Sequence, residues 1–332
     1  MTDVLVLGRA PGPELHLIPV GATVQRLVVT CGDGVRRDVA LGLPDAEAVR
    51  RSPDYLGSVV GRYANRIARG HLPLGGVDHA LPANDRGHHL HGGPDGFHTR
   101  DWRVVEQSAT GAVLELVSPD GDAGYPGEVT ARASYTVTGE GVELELTATT
   151  TAETVVNLTS HAYLNLHGAG TIDDHVLTVP AGRYTPVDAT SIPLGDHAPV
   201  DGTPFDLRRP TALGEVIRGE HPEVRAARGI DHNLVVDGEG WRQVAVLDGP
   251  ATRTRVEIWS DQPGLQVYTG NFLDGSALDR TGRMLRQGDG IALEPQLHPD
   301  TPHHAPGPDW PSAVLHPGET YRNRIAWRFS TL

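Results

Sequence analysis

The chain has 332 residues, 42 acidic against 28 basic groups, and no lysine, so every basic group in that count is an arginine. Schiff-base catalysis and a phosphate-cradling loop closed by lysine both need an amine, and both are excluded. The net charge of −14 with neutral histidines argues against nucleic acid or an anionic membrane surface as partner, and for a small neutral ligand.

The N-terminal stretch MTDVLVLGRAPG has no basic start and only a short apolar run before Gly8. It predicts neither a signal peptide nor a membrane span, and hence a cytoplasmic protein. Glycine (40) and proline (26) make up about a fifth of the chain, against an average of roughly 12%, which predicts many turns and a predominance of strands. A strand at 23–30 leads to Cys31, the only cysteine, which excludes an intramolecular disulfide or a multi-cysteine zinc site and reads as a small buried apolar residue. Asp45 to Arg51 suits one short helix.

After the period-two run at 113–116, Val129, Ala131, Ala133, Tyr135 and Val137 alternate with polar residues, as a half-buried strand requires. Gly139-Glu140-Gly141 turns the chain, and Val142, Leu144 and Leu146 alternate on the return, so 129–147 predicts a hairpin. Strands follow at 153–159 and 174–180, then a loop-rich connection at 181–210 and a second short helix over Leu213–Ile217. The remaining predicted strands are 232–236, 241–247, 252–259, 264–269, 290–294 and 321–329. Strands and helices do not alternate, so a doubly wound parallel sheet is excluded in favour of a large antiparallel sandwich or barrel. No repeat or linker divides residues 1–332, which predicts one domain.

Of the 17 histidines, four fall at His88, His89, His91 and His98. His89 and His91 would share a strand face, as metal ligands do, but no glutamate follows at usable spacing, and His88, His89 and His98 read as loop histidines in water or bonded to backbone. The tail set His298, His303 and His304 lies among prolines and reads likewise. Glu294 ends the apolar run Ile291-Ala292-Leu293. There it is either a partly desolvated base with a raised pKa or simply a solvated strand-end carboxylate. His161 reads equally as a structural histidine, Arg66 as half of a surface ion pair, and Asp231 as a turn residue. Asn157-Leu158-Thr159 matches a glycosylation sequon, without a secretory signal to give it meaning.

The segments LGSVVGRYANRIARG (56–70), LHGGPDGF (90–97), SPDGDAGYPGEV (118–129), HAYLNLHG (161–168), PVDGTPFDLR (199–208), DHNLVV (231–236), QPGLQVYTGNFLDG (262–275), EPQLHPDTPHH (294–304) and LHPGETY (315–321) together resemble the aldose 1-epimerases, or galactose mutarotases. The resemblance runs in order from about Val39 to the C-terminus. It implies an all-β antiparallel supersandwich and a cofactor-free, metal-free isomerase that interconverts the α and β anomers of a free aldohexose, as a monomer or homodimer. It further implies Glu294 as general base, His161 as general acid, and Asn65, Arg66, His91, Asp231 and Gln266 as sugar-binding residues. Ala162 and Leu164 stand where that family usually has Ser and Phe, and His98 where an acidic residue is common, which bears on the preferred sugar. Two other readings remain: a hexose-6-phosphate epimerase of the same fold, with Arg62, Arg69 and Arg100 as phosphate-binding candidates, and a non-catalytic sugar-binding protein.

Overall fold

The computed structural model describes residues 4–332; Met1–Asp3, the start of the segment read above as carrying no signal peptide, lie outside the described residues. Three larger antiparallel sheets dominate, with three short α-helices among the described residues. The hairpin forms as its alternation demands. Val129–Val137 and Gly141–Thr150 pair from Val129↔Thr150 to Val137↔Val142, with the apolar set buried and the polar set turned outward. Gly111–Ser118 and Arg103–Gln107 extend the sheet on one side. On the other side, Tyr321–Thr331 pairs with both Gly141–Thr150 and Thr254–Ser260, so the last strand of the chain lies in the interior of a nine-stranded sheet. Arg242–Gly249, Val176–Thr178 and Thr211–Ala212 complete it.

The second sheet has six strands in the order Tyr163–Leu164, Ile291–Gln296, Gly264–Tyr268, Asp231–Val235, Arg183–Tyr184 and Ala198–Pro199. Its alternation sends Leu293, Leu265, Val267 and Leu234 into the main apolar core, which they share with residues of the nine-stranded sheet and of the N-terminal sheet Leu5–Gly8, Glu14–Ile18, Thr23–Thr30 and Arg36–Asp38. The opposite face carries polar groups. No helix among the described residues is long and apolar enough to cross a membrane. Cys31 is buried with a free thiol.

Several expectations are corrected. The segment 153–159 is not one strand. Thr154–Val155 pairs with Val314–Leu315, and Thr159–Ser160 pairs with Val59–Val60. Between them the Asn157 backbone bridges Arg62 O and Ala64 N, and its side chain adds to this, donating to Ala64 O at 3.1 Å and accepting from Leu297 N at 3.0 Å. Asn157 is wholly buried, so the sequon is closed to modification in the folded chain. The connection 181–210 contributes the last two short strands of the six-stranded sheet, Ala198–Pro199 being its edge. A helix that the periodicity did not signal, Pro222–Ala227, begins on a proline suited to a first turn and ends at Arg228 in the left-handed region, φ 61°. The predicted helix near Asp45 spans Ala46–Arg51, with Asp45 as its N-cap accepting from Ala48 N at 2.8 Å.

Candidate active site

The polar face of the six-stranded sheet supplies the floor of a cavity of about 490 Å³. Gln266 lies directly opposite Glu294 on one neighbouring strand and Asn233 on the other, so Glu294, Gln266 and, one step along, Asp231 project from the same face. The Gln266 amide donates to Asp231 Oδ1 at 2.6 Å, a diagonal cross-strand contact that orients both side chains. The other residues arrive from loops. Asn65 and His91 both adopt left-handed backbone, φ 65° and 51°, facing each other at one end of the short pair Arg66↔Leu90 and Ile67↔His89. His161 is held where its backbone crosses the 57–58 turn, donating to Ser58 O and accepting from Gly57 N. All seven residues singled out from the sequence line this one cavity.

His161 Nε2 stands 3.6 Å from Glu294 Oε1, and the two residues are only 4% and 1% exposed. Glu294 is therefore not a solvated strand-end carboxylate. Burial, reinforced by the charge of Asp231 and opposed by that of Arg66, raises its pKa well above the ordinary carboxylate range. Burial also lowers His161, to about 4, against the opposite pull of Asp231. The contact has the geometry of an ion pair, yet desolvation penalises both charges. Burial thus favours the neutral arrangement of the pair, with the shared proton on Glu294. Glu294 Oε2, His161 Nδ1 and Gln266 Oε1 are buried without a protein partner, leaving hydrogen-bonding capacity for a ligand.

His91 accepts a hydrogen bond at Nδ1 from Asn65 N at 3.1 Å, so in its neutral form the proton sits on Nε2. Burial, with the nearby charges of His161 and Arg66, keeps it neutral. Ligating atoms of His91, His161 and Glu294 lie within 4.8 Å of one another. A metal would nevertheless need a lone pair from His91 where the Asn65 contact dictates an N–H, so the trio suits proton and hydrogen-bond chemistry better than metal ligation. Arg66 is buried, not a surface pair, and is braced by Asp85 at 2.9 Å.

Of the other histidines, His88 and His89 bond to backbone as expected, but His89, His98 and His298 are buried and not in water. His89 is fully buried and turned away from the cavity, bonded to Tyr125 Oη at 2.7 Å and to Pro82 O at 2.8 Å, so it makes no pair with His91. His98 and His298 are buried too, the first against Tyr55 and the second against Asn233. His88 is partly buried and bridges Arg69 N and Thr190 Oγ1. The arginines suggested for a phosphate are elsewhere as well. Arg62 is buried and spends its guanidinium on Ser118 and on carbonyls of Ser118, Pro119, Pro126 and Gly127. Arg100 pairs with Asp122, and neither they nor Arg69 line the cavity.

Sequence reasoning passed over an aromatic wall. The rings of Tyr163, Tyr55 and Tyr268 stand 5.1, 5.7 and 6.2 Å from His161. Tyr268 was detectable in principle, because it lies two residues beyond Gln266 on the same strand face. Tyr55 had no such signal, since it comes from a loop and holds φ 56°.

An all-β fold of this topology is shared by solved structures described as aldose and galactose epimerases. An aldose epimerase homologue from C. elegans superposes with a TM-score of 0.92 over all of both chains at 28% identity. A galactose 1-epimerase from Lactobacillus acidophilus does so with a TM-score of 0.85 over 99% of this chain and 94% of that one, also at 28% identity. The family described as aldose 1-epimerase matches residues 3–328, and the chain belongs to that family. Among its relatives, galactose mutarotase of Mus musculus is 39% identical over 320 residues, 96% of this chain and 91% of that protein. The aldose 1-epimerase of Escherichia coli is 32% identical over 332 residues, 98% and 94% of the respective chains.

Proposed function

We propose that this protein catalyses the interconversion of the α and β anomers of free aldohexoses, glucose or galactose, by acid–base ring opening without a metal or organic cofactor. The observation that carries the reading is the contact of Glu294 with His161 inside one buried, polar-lined cavity. Opening a cyclic hemiacetal removes a proton from the C1 hydroxyl and delivers one to the ring oxygen, so the catalyst must hold one proton on a pair of groups. Moving the shared proton from Glu294 to His161 creates the reactive form.

Glu294 then takes the C1 hydroxyl proton as the C1–O5 bond breaks with its electrons going to O5, and His161 protonates O5. The products of this step are the open-chain aldehyde, a protonated Glu294 and a neutral His161. Rotation about C1–C2 presents the other carbonyl face. In closure His161 removes the C5 hydroxyl proton while Glu294 returns its own to the carbonyl oxygen, so protons balance over the cycle. Arg66 favours the carboxylate and Asp231 the imidazolium, which eases the proton transfer that burial resists. Asn65, Arg66, His91, Asp231 and Gln266 hold the ring and its hydroxyls.

Polarimetry on freshly dissolved α-glucose and α-galactose tests the reading. Relaxation well above the buffer rate, unchanged by EDTA, is expected. No acceleration with any common aldose would sink it, and acceleration confined to hexose 6-phosphates would favour the phosphosugar alternative.

A further inference from the structure

Among the groups on the cavity wall, the Tyr268 phenol has a proton with no destination in the protein. Its oxygen accepts from the backbone N–H of Phe272 at 3.0 Å, and among the described residues it makes no other hydrogen bond. A phenol that has committed a lone pair in this way still has one O–H to donate. The side chain is half-buried and lines the cavity, so the O–H is free to turn toward a ligand there. The ring is fixed on three sides, by Tyr163 at 5.9 Å, His161 at 6.2 Å and Phe272 stacked at 6.5 Å. Burial and the nearby charge of Asp231 hold the phenol above its ordinary pKa, so it keeps its proton across the neutral range.

Tyr268 is directly opposite Asp231 in the strand register, which puts their Cβ atoms about 4.5–5.5 Å apart. Asp231 spends Oδ1 on Gln266, and among the described residues its Oδ2 has no hydrogen-bond partner. An acceptor oxygen and a donor O–H are therefore carried at paired positions of adjacent strands and line the same cavity. A sugar hydroxyl, which is donor and acceptor at once, satisfies both.

We propose that Tyr268 is a further substrate-binding residue, donating to the same sugar hydroxyl that gives its proton to Asp231, so that the two together read the presence and configuration of one hydroxyl. The inference rests on the cavity being an aldose site. It assigns specificity to a fixed donor and acceptor on adjacent strands, and not to the acid–base pair.

The test compares Tyr268→Phe with the unaltered enzyme on an accepted hexose and on its 2-, 3-, 4- and 6-deoxy analogues. Phe keeps the ring and removes only the hydroxyl. The expected kcat/KM loss is about tenfold for the parent sugar and is absent for the one deoxy analogue that lacks the hydroxyl read. Asp231→Asn should single out the same analogue. Equal loss across the whole series, or no loss with any sugar, would overturn the assignment while leaving the epimerase reading intact. If the unaltered protein accelerates no aldose, the underlying function fails and the inference falls with it. Should the Phe variant not fold, a sugar-bound structure of the unaltered enzyme decides. Tyr268 Oη must meet a sugar oxygen that also contacts Asp231, and an Oη that meets none refutes the proposal.

Discussion

Glu294 and His161 are each costly to charge where they lie, and that shared cost dictates how activity should respond to mutation and to acid. Glu294→Gln and His161→Asn keep size and burial but remove the proton acceptor or donor, so each is expected to lower kcat by about a hundredfold or more while the protein still folds. Near-full activity in both variants would refute the role given to the pair. The pH profile of kcat/KM should be a bell, because only the pair holding one proton contains both an acid and a base. As pH falls through about 4, His161 gains a second proton for the pair, Glu294 is already protonated, and no base remains. As pH rises, the pair loses its only proton at a value above the usual carboxylate range, and no acid remains. A flat profile between pH 3 and roughly 6 would contradict the buried-pair description. The apolar run ending in Glu294 left a desolvated base and a solvated strand-end carboxylate both open, and only the family resemblance singled out Glu294 with His161. The depth of burial and the 3.6 Å contact were not legible, because His161 and Glu294 are far apart in sequence and meet only through the fold.

At the scale of the strand, the site depends on close backbone approach as much as on side chains. A Cβ on Gly264 would lie 2.5 Å from Asn233 Oδ1 and 2.8 Å from His298 Nδ1. Asn233 is the cross-strand neighbour of Gln266, so the clash would be felt at the cavity floor. Gly264→Ala is expected to cost about 1–3 kcal/mol of stability in urea titrations and to lower activity; an unchanged midpoint would show that the gap closes freely. Strand periodicity located the longer elements, including Thr23–Thr30 and both arms of the 129–147 hairpin. It failed at two-residue pieces such as Thr159–Ser160, where pairing is decided by tertiary partners and by the Asn157 side chain, not by any local pattern. The buried positions of His89, His98 and His298 were hidden for the same reason. Each packs against or bonds to residues remote in sequence, and imidazole is common both in cores and in water.

At the scale of the molecule, the central place of Tyr321–Thr331 makes the chain's last strand a condition for the whole nine-stranded sheet. Removing residues 321–332 would leave Gly141–Thr150 and Thr254–Ser260 without their shared neighbour and delete the buried Asn323, Ile325, Ala326 and Trp327. Such a truncation is expected to abolish the cooperative unfolding transition seen by circular dichroism and to yield aggregating protein with open strand edges. A soluble product that unfolds in a single transition would show that the two halves stand alone. The antiparallel all-β class was readable from strand spacing and from the glycine and proline content. The interleaving of early and late strands was not, since long-range pairing leaves no periodic trace.

The two-sidedness of Ile291–Gln296 bears finally on how this protein can change by descent. Leu293 belongs to the apolar core while Glu294 belongs to the cavity, one peptide unit apart. A single-codon deletion just upstream would move each to the other face, putting a carboxylate in hydrocarbon and a leucine in the cavity. Lineages that keep the fold thus keep the cavity carboxyl in phase with it. Point substitutions on the cavity face remain open to selection for different sugars, while insertions and deletions in this strand are closed.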